Sequence, residues 1–319
     1  MNILISGGAG FIGSHLAAAL LRDPQVRSII VYDNISSGSR QHLAAAGDDP
    51  RLTLVEGDLK DLAQLSNAMK GVDIVFHLAA NPDIAKAVTQ PDIDFWEGTY
   101  LAQNILEAMR KNKAKKILYT SGSGVYGDAP GVAFAENYGP CVPISTYGAS
   151  KLACEALIAA YCHMFGMSAR AFRFANVVGP RQTHGVGYDF IRNLRANPSK
   201  LRILGDGTQC KSYIHVDDVV AAMLMILSTS NVASAFDVFN VATDDYITVT
   251  EIADIACAVS GLDSTQVQYD YSGGDRGWKG DVPKVLFDVS KIKARGWRAA
   301  RSSRQAMKAS LEAMRNELS

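Results

Sequence analysis

The first half of the chain alternates short apolar runs with longer amphipathic segments. The short runs have the length and the β-branched content of buried strands: NILIS, SIIVYD, LTLVEGD, DIVFHLAA and KKILYTS. Segments such as FIGSHLAAALLRD and NILEAMRKN lie between them and carry apolar residues at helical spacing. Strand and helix in alternation indicate βαβ units, which build a parallel sheet with helices on both faces. The pattern therefore predicts a doubly wound α/β fold.

Beyond Asn176 this alternation loosens. Glycine and proline interrupt the chain in VVGPRQTHGVG, LGDGTQ and SGGDRGWKGDVP, which are typical of long binding loops. HVDDVVAAMLMILS is predicted as a helix, and FDVFNVA as a further strand of the first sheet. We therefore predict a first domain of residues 1–175 and 213–243, with residues 176–212 and 244–319 forming a smaller α/β cap.

Composition narrows the class of protein without identifying an activity. The chain has 319 residues, and Lys plus Arg equals Asp plus Glu at 32 each, so no overall basic charge favours nucleic acid or an anionic membrane. No apolar run approaches the roughly 18 residues of a membrane span, and Met1 leads into NILISGG without a signal-peptide pattern. We expect a cytoplasmic protein. The five cysteines form no CxxC pair and the six histidines no ligand-spaced cluster, so we expect no structural metal.

The first chemical motif is GGAGFIGS, which places Gly7, Gly10 and Gly13 between a strand and a helix. Such glycines allow a tight turn, close approach to a pyrophosphate and close packing of the helix. Asp33 ends the next strand 20 residues after Gly13, the spacing expected for a carboxylate that binds an adenosine ribose. An acidic residue there repels a 2'-phosphate, which favours NAD over NADP. The alternative is a tight turn with a helix-capping Asp.

The second motif is STYGASK, in which Tyr147 and Lys151 are four residues apart at the predicted start of a helix. That spacing places both side chains on one helix face, where an ammonium group stabilises a phenolate. A free tyrosine has a pKa of about 10 and is a poor base at neutral pH without such help. Alone, the pattern often marks a surface pair. After a dinucleotide motif it favours an acid/base pair.

Together these residues resemble the extended short-chain dehydrogenase/reductase family, and within it the nucleotide-sugar 4-epimerases of the UDP-galactose 4-epimerase type. The resemblance covers nearly the whole chain, through GGAGFIGSH, GDL, FHLAA, VYGD, YGASK, RFANVVGP, GDGTQ, YIHVDDV and GDVPKVLFDVSK. It implies a Rossmann-type doubly wound parallel sheet with a smaller α/β substrate-binding cap. It also implies a UDP-sugar substrate, the cofactor NAD and a homodimer of paired helices.

The resemblance implies a role for each matching residue. Those for NAD are Gly7, Gly10, Phe11, Ile12, Gly13, Asp33, Asn34, Asp58, Leu59, Leu78, Ala79 and Ala80, together with Tyr147 and Lys151. Those for the substrate are Asn176, Lys211 and Arg276. We add Arg181, in the loop after VVGP, and Ser121, which flanks the position of Gly122, as further substrate candidates. Lys211 stands where many relatives have an arginine. Trp278 stands at a second position where relatives usually have an arginine.

The stretch SGSGVYG departs from the family at its usual catalytic hydroxyl. Relatives carry Ser or Thr at the position of Gly122, and often a second hydroxyl at Gly124. Strand alternation turns the flanking Ser121 and Ser123 to the opposite face, unless the glycine-rich strand end bends. Ser123 is the better replacement and is our third catalytic candidate, with a bound water as its equal rival.

The resemblance implies epimerisation at C4 of a UDP-hexose through a transient 4-keto sugar, with Tyr147 as acid/base. Two alternatives stay open: a nucleotide-sugar 4,6-dehydratase and a non-catalytic NAD-binding or scaffold protein. A dehydratase needs an acidic pair where Ser123 and Gly124 stand. Two features predict room for an N-acetylated or otherwise enlarged sugar. Gly122 and Gly124 lack side chains that relatives project toward the sugar, and Val285 stands where relatives restricted to small sugars tend to carry Tyr.

Overall fold

The apolar runs predicted as strands form strands in the computed structural model, which describes residues 1–229 and 234–317. The strands are β1 (Asn2–Ser6), β2 (Ser28–Asp33), β3 (Leu52–Glu56), β4 (Ile74–His77), β5 (Lys116–Gly122), β6 (Ala133–Phe134), β7 (Ser168–Phe174), β8 (Asn176–Val178), β9 (Lys200–Ile203), β10 (Cys210–Lys211), β11 (Tyr213–His215), β12 (Phe236–Val241), β13 (Ile247–Thr248), β14 (Gln268–Tyr271) and β15 (Leu286–Phe287).

Helices follow most of the strands of the first half and dominate the end of the chain. They are α1 (Phe11–Leu20), α2 (Leu62–Ala68), α3 (Tyr100–Asn112), α4 (Thr146–Phe165), α5 (Val186–Ala196), α6 (Val216–Ser228), α7 (Val249–Val259), α8 (Ser290–Ala294) and α9 (Ser303–Glu317). A π-helical turn, Phe95–Thr99, leads directly into α3.

The main sheet has seven strands in the order β12-β7-β5-β4-β1-β2-β3. β1 pairs in parallel with both β2 and β4, and β2–β3 and β4–β5 are also parallel. The strand order reverses at β1, and in such sheets ligands bind outside the carboxyl ends of the strands at that reversal. The predicted Rossmann-type α/β fold is confirmed.

The chain divides into two compact units. The first contains residues 1–125, 146–173 and 220–239, and the second contains residues 126–145, 174–219 and 240–319. Residues 230–233 and 318–319 of the predicted domains lie outside the described residues. Which ligand each domain binds stays a prediction.

The first unit buries both faces of its sheet. Leu4 of β1 packs with Ile105 of α3 and Ile158 of α4 in one apolar cluster, while the alternate residues Ile3 and Ile5 are also fully buried. Because successive strand residues point to opposite faces, both sides of β1 are covered. The continuous apolar runs of the sequence reflect this double burial.

The second unit is built from helices and short strand pairs. The pairs are β8 with β11, β9 with β14, β6 with β15 and β10 with β13. Ile191 of α5, Ile252 of α7 and Leu311 of α9 belong to its apolar core. α7 begins with a capping box, in which Thr248 and Glu251 each bond the other's backbone amide.

Candidate active site

The glycines of the first motif form the turn between β1 and α1. Gly7 has φ +70°, and a Cβ there would lie 2.8 Å from the backbone nitrogen of Ala79. A Cβ on Gly13 would lie 2.6 Å from the Cα of Gly8. Gly10 precedes α1 without a side-chain hydrogen bond that caps the helix. The turn thus exposes the amides of the helix start to an anion, as a pyrophosphate requires.

Asp33 fixes this turn to the end of β2. One carboxylate oxygen accepts the Ala9 amide at 2.9 Å, and the other accepts the Ile35 amide at 2.9 Å. The residue is 9% exposed. Each oxygen retains a lone pair, so the same carboxylate can also accept ribose hydroxyls.

The ends of β3 and β4 supply the other residues predicted for the cofactor. The amides of Leu78 and Ala79 both donate to the Ser6 carbonyl at 3.1 Å, which brings the segment after β4 against the glycine turn. Asp58 and the buried Leu59 follow β3. The residues predicted for the cofactor before β5 all lie at the carboxyl ends of parallel strands. They are Gly7, Gly10, Phe11, Ile12, Gly13, Asp33, Asn34, Asp58, Leu59, Leu78, Ala79 and Ala80.

This arrangement fits a dinucleotide with an unphosphorylated ribose. The positions of Gly7 and Gly13 admit no side chain, α1 offers uncapped amides, and Asp33 offers a carboxylate. Across residues 1–229 and 234–317, no group of three or more His, Cys, Asp and Glu side chains could hold a metal ion. Among the described residues, no helix is both long enough and apolar enough to cross a bilayer.

Tyr147 and Lys151 lie on the first turns of α4, as the motif predicts. The Lys151 ammonium lies 5.4 Å from the centroid of the Tyr147 ring and 5.1 Å from that of Tyr119. It donates to the Thr120 carbonyl at 2.8 Å, and the lysine is only 5% exposed. Tyr147 is half-buried. The cation is thus fixed at the end of β5 beside a half-buried phenol.

Ser121 is directed into the core. Its hydroxyl donates to Glu155 at 2.5 Å, and Arg173 binds the same carboxylate at 3.0 and 2.6 Å. All three residues are buried. Because this hydroxyl is committed to a buried ion pair, we do not retain Ser121 among the candidate substrate residues.

The glycines beside it differ in their surroundings. A Cβ on Gly122 would meet no heavy atom of the described residues within 4 Å, so the position of the missing hydroxyl is open space. A Cβ on Gly124 would lie 3.3 Å from the Cα of Gly148 and 3.9 Å from the Tyr147 ring. Ser123 is half-buried, and no hydrogen bond engages its hydroxyl within the part of the chain that the structure describes.

His77, at the end of β4, is a core residue and is 1% exposed. Its Nδ1 lies 2.7 Å from the Ser6 hydroxyl, and its Nε2 has no partner among the described residues. Burial, with the nearby charge of Lys151, lowers the pKa of His77 to about 3. The imidazole is therefore neutral at physiological pH.

Within the second unit, two residues predicted for the substrate converge on Asp281. Lys211 forms an ion pair with the Asp281 carboxylate. Arg276 donates to the Asp281 carbonyl at 2.7 Å and to the Asp128 carboxylate at 2.6 Å. The structure thus brings Lys211 to the carboxylate of Asp281 and Arg276 to its backbone carbonyl, which the sequence did not indicate.

The other two residues predicted for the substrate have different surroundings. Asn176 is exposed at the start of β8, where its backbone amide donates to the Ser212 carbonyl. Arg181 has φ +68°, and its amide donates to both oxygens of Glu317 at 3.0 and 3.1 Å. Burial lowers the pKa of Arg181, although Glu317 and Asp217 oppose this effect.

Sequence reasoning missed a buried polar residue beside the catalytic helix. Asp94 is 2% exposed and accepts hydrogen bonds from Asn81 and Thr146, while its carbonyl accepts one from Ser150. Its only signal in the sequence is an acidic residue inside an otherwise amphipathic segment, which equally suits an exposed helix face.

Comparisons with known proteins agree with this geometry. A model of the NAD dependent epimerase/dehydratase family matches residues 3–242. A putative UDP-glucose 4-epimerase of Methanocaldococcus jannaschii is 32% identical over 321 residues, which cover 98% of each chain. A crystal structure of a UDP-galactose 4-epimerase matches at TM-score 0.89 and 38% identity over 100% of both chains.

A third comparison concerns a larger sugar. The structure of the UDP-N-acetylglucosamine 4-epimerase from Methanobrevibacter ruminantium, in complex with UDP-N-acetylmuramic acid, matches at TM-score 0.86. It is 27% identical, and the match covers 99% of this chain and 98% of that one.

Proposed function

Because this chain belongs to the NAD-dependent epimerase/dehydratase family, we propose that it is a nucleotide-sugar epimerase that inverts C4 of a UDP-hexose. One observation carries the proposal. The Lys151 ammonium is held 5.4 Å from the Tyr147 ring, at the same edge of the sheet as the glycine turn that fits NAD. The relatives named above, which are UDP-sugar 4-epimerases, support the choice of C4.

In this reaction Tyr147 is the acid/base. As a phenolate it takes the proton of the C4 hydroxyl, and it returns the proton to the C4 oxygen after inversion. Lys151 stabilises the phenolate, and the Thr120 carbonyl keeps the ammonium in place at 2.8 Å. NAD, when bound, supplies the hydride acceptor and donor for the same carbon.

Ser123 is the proposed source of the hydroxyl that Gly122 lacks. Its side chain is half-buried and has no other hydrogen bond among the described residues. A water in the open space beside Gly122 is the rival. Substitution Ser123→Ala distinguishes them, because it lowers kcat only if the serine contacts the sugar.

We propose that the first unit holds NAD and that the second holds the nucleotide. Lys211, Arg276 and Asn176 would bind the diphosphate, with Arg181 as a further contact. Lys211 gives a single point of charge rather than the two-pronged contact of an arginine, and Asp281 competes with the phosphate for that charge.

The sugar is proposed to be larger than glucose, for instance N-acetylated. The open space beside Gly122 supports this, as does the N-acetylated sugar named for one structural relative. Val285 contributes less to the argument, because it is only 7% exposed.

We also propose a cytoplasmic homodimer. Phe95, Trp96 and Met164 are 50, 45 and 72% exposed, and large apolar side chains of this kind are candidates for a helix-paired interface. Sedimentation analysis of the native protein and of Trp96→Glu tests the dimer. A monomeric native protein would contradict it.

Product analysis tests the function. The protein is incubated with UDP-glucose, UDP-galactose, UDP-N-acetylglucosamine and UDP-glucuronic acid, and the sugars are separated after hydrolysis. We expect the C4 epimer of at least one, with the highest kcat/KM for an enlarged sugar. A 4-keto-6-deoxy sugar would indicate a dehydratase, and unchanged substrates would contradict catalysis.

Tyr147→Phe supplies the decisive variant. We expect NAD binding to be retained and kcat to fall by about 100- to 10,000-fold, because only the proton-transferring oxygen is lost. Tyr188→Phe in α5 is the matched control, with native turnover expected. Native turnover in Tyr147→Phe would overturn the assignment.

A further inference from the structure

Asp94 joins three segments of the first unit through hydrogen bonds. Its Oδ1 accepts the Asn81 side-chain amide at 2.9 Å, and its Oδ2 accepts the Thr146 hydroxyl at 2.7 Å. Its backbone carbonyl accepts the Ser150 hydroxyl at 2.7 Å. Thr146 directly precedes Tyr147, Ser150 directly precedes Lys151, and Asn81 directly follows Ala80. One residue therefore contacts the neighbours of both members of the acid/base pair and of the cofactor segment.

The surroundings of Ser150 fix α4 further. Its hydroxyl also lies 2.9 Å from the Thr99 hydroxyl. A Cβ on Gly98 would overlap the Ser150 side chain, so the glycine is needed for this close approach. The π-helical turn Phe95–Thr99, which directly follows Asp94, thus packs against the Ser150 side chain. π-Helical turns occur frequently at functional sites.

The Asp94 carboxylate pairs with no cation within residues 1–229 and 234–317. Burial of a carboxylate to 2% exposure costs folding free energy unless hydrogen bonds replace its hydration. Asn81 and Thr146 supply such bonds, and bonds to a charged acceptor are stronger than bonds between neutral groups. Sliding or rotation of the first turn of α4 would break the bond to Thr146 and leave the charge poorly solvated. The arrangement therefore resists displacement of that turn.

We propose that Asp94 and Thr146 are positioning residues that hold Tyr147 and Lys151 in register with the cofactor segment. This inference rests on the proposed function of the pair. Neither residue is required to touch substrate or cofactor. Their effect is on the placement of the Tyr147 oxygen, and misplacement by about 1 Å costs on the order of 100-fold in rate.

Steady-state kinetics with the UDP-sugar that the native protein turns over fastest provides the first test. In Thr146→Val, which removes the hydroxyl at nearly constant volume, we expect kcat to fall about 10- to 100-fold, with unchanged KM and NAD affinity. Thr146→Ser retains the hydroxyl and should recover most of the loss. Thr89→Val is the matched control, because the Thr89 hydroxyl bonds, among the described residues, only the Lys86 carbonyl. A kcat for Thr146→Val within twofold of native would overturn the inference.

A second measurement does not require turnover. The protein is labelled with 3-fluorotyrosine, and the ¹⁹F resonance of residue 147 is identified by its loss in Tyr147→Phe. We expect this resonance to shift or broaden in Asp94→Asn and to stay unchanged in Asp92→Asn, an exposed carboxylate two residues away. An unchanged resonance in folded Asp94→Asn would overturn the positioning role, even if the native protein proved inactive on every UDP-sugar. Inactivity with a shifted resonance would contradict the proposed function alone.

Discussion

Gly124 and Gly148 face each other through their backbones, since a Cβ on Gly124 would lie 3.3 Å from the Cα of Gly148. The contact joins the turn after β5 to the first turn of α4, directly beside Tyr147. Few Cβ atoms in proteins are packed as closely as this one would be, so a side chain at residue 124 requires the backbone of Gly148 to shift slightly.

The two glycines of this turn should therefore respond differently to serine. We expect Gly124→Ser to lower kcat by about 10- to 100-fold, because it moves Tyr147. Gly122→Ser enters open space and should change the free energy of unfolding by less than about 0.5 kcal/mol. Kinetics and urea denaturation of both variants test this. Equal kcat values in the two variants would contradict the role of the Gly124 contact.

Asp33 should make NAD bind far better than NADP. Its carboxylate already orders the turn through Ala9 and Ile35, and it repels a phosphate on the ribose. Asp33→Asn keeps one acceptor but loses the charge, so we expect the preference to shrink mainly through tighter NADP binding. Titration of the apo protein with both nucleotides measures this, and equal native affinities would argue against the assignment.

The buried ion pair of Glu155 and Arg173 should be costly to break from one side. Glu155→Gln leaves the guanidinium without a counter-charge, and such losses amount to about 3–5 kcal/mol of unfolding free energy. Asp189→Asn, which breaks the exposed pair with Arg192, should cost less than about 1 kcal/mol. Urea denaturation of both variants gives the comparison. Similar losses would show that burial does not control the cost.

His77 should make the protein less stable as the pH falls. Its pKa is about 3 in the folded state and about 6.5 in the unfolded state, so the unfolded state binds the extra proton between these values. Stability is therefore fully present above pH 6.5 and declines by about 1.4 kcal/mol per pH unit below it. His77→Gln removes this contribution. Denaturation at pH 7 and pH 5 should show a pH effect smaller by about 2 kcal/mol in the variant, and an identical effect would refute the assignment.

The sequence predicted the features that depend on local spacing. The apolar runs determine β1 to β5, and the glycines with Asp33 identify the dinucleotide turn, because both patterns lie within about one βαβ unit. Alternation along β5 predicted that Ser121 points away from Gly122 unless the strand end bends. The bond from the Ser121 hydroxyl to Glu155 agrees with this alternation and disagrees with the substrate role also predicted for Ser121.

Partners distant in sequence could not be predicted. Ser121 and Glu155 are 34 residues apart, and Asp94 and Thr146 are 52 apart. Lys211 and Asp281 are separated by 70 residues. Each contact depends on how helices and loops pack, and a single carboxylate in an amphipathic segment carries no periodic signal that separates a buried acceptor from a solvated one.

In the ion pair between Lys211 and Asp281, the Asp281 carboxylate competes with any bound anion for the charge of Lys211. A ligand phosphate gains only the difference between its attraction to Lys211 and the attraction that Asp281 already provides. Groups with a single negative charge exchange one pair for an equivalent one, whereas a diphosphate brings more charge than the carboxylate it displaces. On the proposed role of Lys211, the Asp281 carboxylate therefore favours ligands that carry several negative charges over ligands that carry one.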